Sequence, residues 1–110
     1  MSLADLEFQK GRIESPVDAS LAQALLTELP DWQISRSGQD ELACEFNFKD
    51  FVSAMTFANA VTELAERFNH HPTLVVEYGR VQVKWWTHTA GGIAVNDFFM
   101  ARETSKLAAG

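Results

Sequence analysis

A chain of 110 residues with 46% hydrophobic side chains, eight Phe and three Trp among them, has the apolar content for one folded core, so a single domain over 1–110 is expected and a disordered chain is excluded. The formal net charge is −6 and no cluster of Lys and Arg stands out, which argues against direct binding of nucleic acid or of an anionic membrane surface. One cysteine, Cys44, leaves no internal disulfide; no apolar run is long enough for a bilayer, and "MSLADLEFQKG" lacks the basic-then-apolar pattern of a secretory signal, so a reducing cytoplasm is the expected setting.

Residues 1–17 carry Gly11 and Pro16 in mixed sequence and read as an extended lead-in. Asp18 then offers an N-cap to "ASLAQALLTEL", in which Leu21, Leu25, Ala22, Leu26 and Leu29 recur at helical spacing up to Pro30. "WQIS" and "LACEFNF" alternate: Leu42, Cys44, Phe46 and Phe48 share one side, opposite Glu45 and Asn47. With the turn "RSGQDE" between them, they predict an antiparallel hairpin with one buried face. A helix follows from an Asp50 cap, with a stripe of Phe51, Met55, Ala58, Val61, Ala65 and Phe68 widened by Phe57 and Leu64, and Pro72 ends it at 69–71. "TLVVEYGRVQVKWWTH" reads as a second hairpin. A Gly79-Arg80 loop would set Tyr78 opposite Val81, Val76 opposite Val83 and Leu74 opposite Trp85 on one apolar face. "TAGG" reads as a turn leading to a last helix at about 96–107. The expected fold is α+β, in the order α-β-β-α-β-β-α: a four-stranded antiparallel sheet with helices on one face.

Chemistry concentrates in "ERFNHHPTL", residues 66–74. Run two steps past Thr73, that register sets His71 opposite His88, so all three histidines should gather in one region. Glu66 lies four positions before His70, on the same helical face, where a carboxylate orients an imidazole and fixes its tautomer. Asp97, at the start of the last helix, can reach the same region from the other side. A lone histidine at a helix C-terminus often does no more than face the helix dipole. Three arriving from separate elements point to a functional site. Zinc is the other sharp reading, but the side chains of adjacent histidines diverge, and there is no HExxH and no cysteine nearby. A serine triad has no G-x-S-x-G. Trp32, Trp85 and Phe68 are of the type that more often fills a core than stacks a ligand.

With Glu66, His70-His71-Pro72, Tyr78, His88 and Asp97 at these spacings, together with "EFNFKDF" and "THTAGG", the chain resembles the pterin-4a-carbinolamine dehydratases, also known as dimerisation cofactors of a homeodomain transcription factor, over about residues 18–108. It departs at Thr73-Leu74, where the family often has Glu-Trp, and at "GIAVND", where Ala94 replaces a capping Ser or Thr. The resemblance implies loss of water from 4a-hydroxytetrahydropterin to give quinonoid dihydropterin, with no metal or other cofactor. It implies acid/base roles for His70 and His88, pterin binding by His71 and Pro72, and Glu66 and Asp97 orienting imidazoles or holding the ring's polar edge. Trp32 would line the pocket, and the chain would form a homodimer or homotetramer. The rival implications are a non-catalytic partner of a transcription factor and an enzyme on a related pterin, such as one of molybdenum cofactor metabolism.

Overall fold

In the computed structural model, which describes residues 1–36 and 38–110, seven elements follow the expected order. They are α1 (Ala19–Leu26), β1 (Gln33–Ser35), β2 (Glu41–Asn47), α2 (Phe51–Phe68), β3 (Thr73–Glu77), β4 (Arg80–Trp85) and α3 (Val95–Ala109), with short 3-10 turns at Leu3–Asp5 and His88–Ala90. The strands form one antiparallel sheet in the order β1-β2-β4-β3. The turn expected between β1 and β2 includes Ser37, which lies outside the described residues.

Alternation in β2 and β4 produces the buried face. Leu42 pairs with Trp85 and Cys44 with Val83, and all four are buried under the helices with Leu25, Val61, Phe98 and Met100. The fully buried Trp85 keeps its indole N–H satisfied by donating to Thr104 Oγ1 at 3.1 Å, which docks α3 on β4. Cys44 is buried too, and its thiol is pushed up to about 11, chiefly by that burial and then by the carboxylates of Asp31 and Glu45.

The helix caps follow the sequence. Asp18 accepts from Leu21 N–H and Asp50 from Ser53 N–H, each at 2.8 Å. The α2 stripe begins later than the spacing predicts: Ala54, Phe57, Ala58, Val61, Leu64 and Ala65 are buried, whereas Phe51 and Met55 are 47% and 36% exposed. The lead-in is not wholly extended, because Leu3–Asp5 makes its 3-10 turn there and Leu3 and Leu6 are buried.

The second hairpin differs from its predicted register by two residues. Glu77 pairs with Arg80, Val76 with Val81 and Leu74 with Val83, so the loop is Tyr78-Gly79. Gly79 takes φ +76°, favoured by glycine, at the second loop position, and a Cβ there would meet Phe48 O at 3.1 Å. Arg80 is then placed to bridge Glu77 and Glu45. A slip of two preserves which side chains share a face. Tyr78, however, leaves the apolar face for the loop and is 75% exposed.

Candidate active site

The end of α2 sets the site. Asn69 adopts a left-handed conformation at φ 49°, and the backbone N–H groups of Asn69 and His70 donate to Glu66 O and Ala65 O, the two bonds of a Schellman terminus. The chain leaves the helix axis at that point, so His70 no longer projects from the face that carries Glu66. Its ring lies flat against Trp85, with centroids 5.7 Å apart and planes 7° apart. Its Nε2 lies 2.6 Å from Asp97 Oδ1.

Asp97 is fully buried. It occupies the first turn of α3, where the positive end of the helix dipole favours an anion. Its second oxygen, Oδ2, accepts from Ala94 N–H at 2.8 Å and from Thr87 Oγ1 at 2.7 Å. Ala94 supplies no side-chain cap, so the reciprocal half of the capping box, Asp97 reaching back to the Ala94 amide, secures this end of the helix. A carboxylate only accepts hydrogen bonds, so His70 Nε2 carries the proton. No other protein group among the described residues bonds the remaining ring nitrogen, Nδ1.

Glu66 pairs instead with His71, with Nε2 and Oε2 2.6 Å apart, and both side chains are more than half exposed. The expected Glu66–His70 pair is therefore replaced by two pairs, His70 with Asp97 and His71 with Glu66. His88 starts the 3-10 turn after β4, exposed, its ring centroid 3.8 Å from that of Trp86. The three histidines, with Trp86 and Thr87, line one cavity of about 330 Å³. A second cavity of about 490 Å³ shares His70, Asn69, Thr87 and Thr89 with it. Pro72, half-buried, links His71 to β3 and lines neither cavity.

Trp32 does not join the site. It is buried, its ring edge-on to Phe46 and its N–H donating to Ser105 Oγ at 2.8 Å, so its polar handle is already used inside the core. Thr87 was missed in the sequence. The observed register, extended past Thr73–Lys84, brings Thr87 opposite His70, and the slipped register hid this. Among the described residues, no three His, Cys, Asp or Glu side chains are grouped to hold a metal ion, and no helix is long and apolar enough to cross a membrane.

The sequence model of the family described as pterin 4 alpha carbinolamine dehydratase matches residues 15–107. A relative from Chlorobium limicola, provisionally named pterin-4-alpha-carbinolamine dehydratase, is 50% identical over 94 residues, which are 84% of this chain and 83% of that protein. One from Marinobacter nauticus with the same provisional name is 46% identical over 77% of this chain and 78% of its own. The crystal structure of a transcriptional coactivator/pterin dehydratase from Brucella melitensis superposes with a TM-score of 0.79 at 32% identity, covering 86% of this chain and 99% of that one. The fold, the clustered histidines and these likenesses agree: the chain belongs to the pterin-4-alpha-carbinolamine dehydratase family.

Proposed function

We propose that this protein removes water from a 4a-hydroxytetrahydropterin to give the quinonoid dihydropterin, by histidine general acid/base catalysis. The observation that carries the reading is the pairing of His70 with the buried Asp97 at a cavity that His71 and His88 also line. The 4a hydroxyl is a poor leaving group and departs as water only when protonated. The N5–H proton is lost as the C4a=N5 double bond forms. One group must give a proton and another must take one, and imidazole serves either need near neutral pH.

In this reading Asp97 fixes the His70 ring, with Nε2 protonated, so that Nδ1 is presented as a base. His88, which lines the same cavity, is the acid for the departing hydroxyl. His71, held by Glu66, binds and positions the pterin. No metal, nucleotide or covalent intermediate is required. The substrate is the species that arises when aromatic amino acid hydroxylases use their tetrahydropterin.

The test is a phenylalanine hydroxylase coupled assay, in which purified protein accelerates formation of the quinonoid product. No acceleration over the uncatalysed rate refutes the dehydration. That result would favour the second reading, a binding module, to which the coactivator half of the Brucella protein's name points. We also infer self-association, supported by the exposed Phe51, Val52 and Met55 on one end of α2. Sedimentation as a monomer at micromolar concentration overturns it.

A further inference from the structure

The segment ahead of α1 is tied across the larger cavity. Gln9 N–H donates to Asn96 Oδ1 at 2.8 Å, and Asn96 Nδ2 donates back to Gln9 O at 2.9 Å. Asn96 is only 4% exposed, so lifting the segment strips both partners from a buried amide. Thr89 Oγ1 donates to Ile13 O, and Arg102 donates to Leu3 O and Leu6 O. Phe8 inserts between these anchors. Its ring centroid lies 5.0 Å from that of Phe68 and 5.6 Å from that of Phe99, and it meets the His70 ring edge-on at 6.1 Å. Trp85 therefore covers one face of His70 while Phe8 closes on its edge. The cavity of about 490 Å³ runs between this segment and His70.

We infer that residues 8–13 form a substrate-facing wall of the cleft, along which the substituent carried by the pterin ring lies, and that Asn96 is the positioning residue that holds this wall in place. The inference rests on the proposed reading of the cleft as a pterin site. It goes beyond it because the wall precedes residue 15, where the match to the family begins. The histidines handle the ring at C4a and N5, an operation common to every pterin of this class. Apolar contact with Phe8 and Ile13 instead discriminates among ring substituents, and Asn96 acts through them.

The experiment uses the full chain and two substrates, a 6-methyl pterin and a pterin bearing a dihydroxypropyl arm. KM and kcat are measured for each, with Kd for the oxidised form of each by fluorescence quenching. The variants are Phe8→Ala, Asn96→Ala and Thr89→Val, with Phe8→Leu as the conservative control. The expected result for Phe8→Ala is a rise of about tenfold in KM and Kd for the longer substrate, on the scale of a lost apolar pocket contact, and a smaller rise for the methyl compound. kcat should change by less than about threefold. Asn96→Ala and Thr89→Val shift the same ratio in the same direction, and Phe8→Leu restores most of it.

Thr89 is exposed, so Thr89→Val tests the anchor where loss of Phe8 or Asn96 also loosens the fold. Folded variants in which the two Kd values move equally, or not at all, overturn the inference. Protein that binds both pterins without turning them over refutes the dehydration, yet the Kd ratio still decides the role of the wall. Protein that binds neither overturns both.

Discussion

Asp97→Asn isolates the part of the site that the structure describes most fully. The carboxylate is completely buried and takes three hydrogen bonds, at 2.6 Å from His70, 2.7 Å from Thr87 and 2.8 Å from Ala94. Asparagine keeps the shape. Its oxygen can stay with the Thr87 hydroxyl and with the Ala94 N–H, which can only donate, and its NH₂ then faces His70. A donor in that position forces Nε2 to accept, so the ring proton moves to Nδ1 and the free lone pair assigned to catalysis disappears. Mis-set general acid/base chemistry costs on the order of 10²–10⁴ in rate, or about 3–5 kcal/mol of barrier. Stability falls less. Three charge-assisted bonds become neutral ones and a buried charge is removed, for a net loss of about 1–3 kcal/mol. The assay pairs turnover with nitrogen NMR of the imidazole, which reads the tautomer directly. Turnover within about threefold of wild type, in a folded variant whose His70 proton has moved to Nδ1, would refute the assigned role of Asp97.

Single His70→Ala and His88→Ala variants should each lower turnover by about 10²–10⁴, and the double variant should lose less than the product because both act in one elimination; near-normal turnover in both singles sinks the mechanism. His71→Ala should weaken pterin binding more than turnover, because His71 is exposed beside Glu66 and positions substrate; a larger effect on kcat than on KM contradicts this. Cys44, its thiol pushed up to about 11, is ionised in about one molecule in 10³ at pH 8, so native protein should label slowly with a thiol reagent until it unfolds, and rapid labelling would contradict its burial. The Asp50 carboxyl is held below its ordinary 3.8 by hydrogen bonds from Ser53, so the stability it contributes is complete above that value and is lost as pH falls through the lower folded one. Asp50→Asn should therefore flatten the acid limb of the stability curve below about pH 4, and an unchanged limb counts against the cap.

The element order was legible because the hydrophobic period switches cleanly between 3.6 and 2 along the chain, and Asp18 and Asp50 mark two helix starts. Less legible was anything decided by where an element ends in space. The first turn of α2 has the same apolar spacing as the rest, yet Phe51 and Met55 remain exposed while Ala54 and Phe57 are covered. Trp32 carries an aromatic surface fit for either a core or a pocket, and only the hydroxyl of Ser105, 73 residues away in sequence, determines which it serves. The importance of the lead-in was equally hidden. Its anchoring hydrogen bonds are made by backbone atoms with Asn96 and Arg102, and hydropathy does not register such bonds.

Two local features, each one or two residues wide, decided the details of the site. At the hairpin, one glycine fits either the first or the second loop position, and the alternatives differ by two residues in register. Both bury the same strand face, so the apolar pattern cannot choose between them, but only one puts Thr87 beside His70. At the helix end, the i,i+4 rule that joined Glu66 to His70 holds only while the helix continues. Asn69 reverses the sign of φ one residue before His70. This turns His70 inward onto Trp85 and Asp97 and leaves Glu66 to its other histidine neighbour. The exchange has chemical content. An exposed Glu66 pair would have left the ring of His70 in water, whereas the buried Asp97, itself held by the Ala94 N–H at a helix N-terminus and by the Thr87 hydroxyl, holds that ring in one tautomer and one plane. The sequence motif thus holds three histidines that meet at one cavity, and the left-handed residue between α2 and His70 determines which carboxylate each of the first two pairs with.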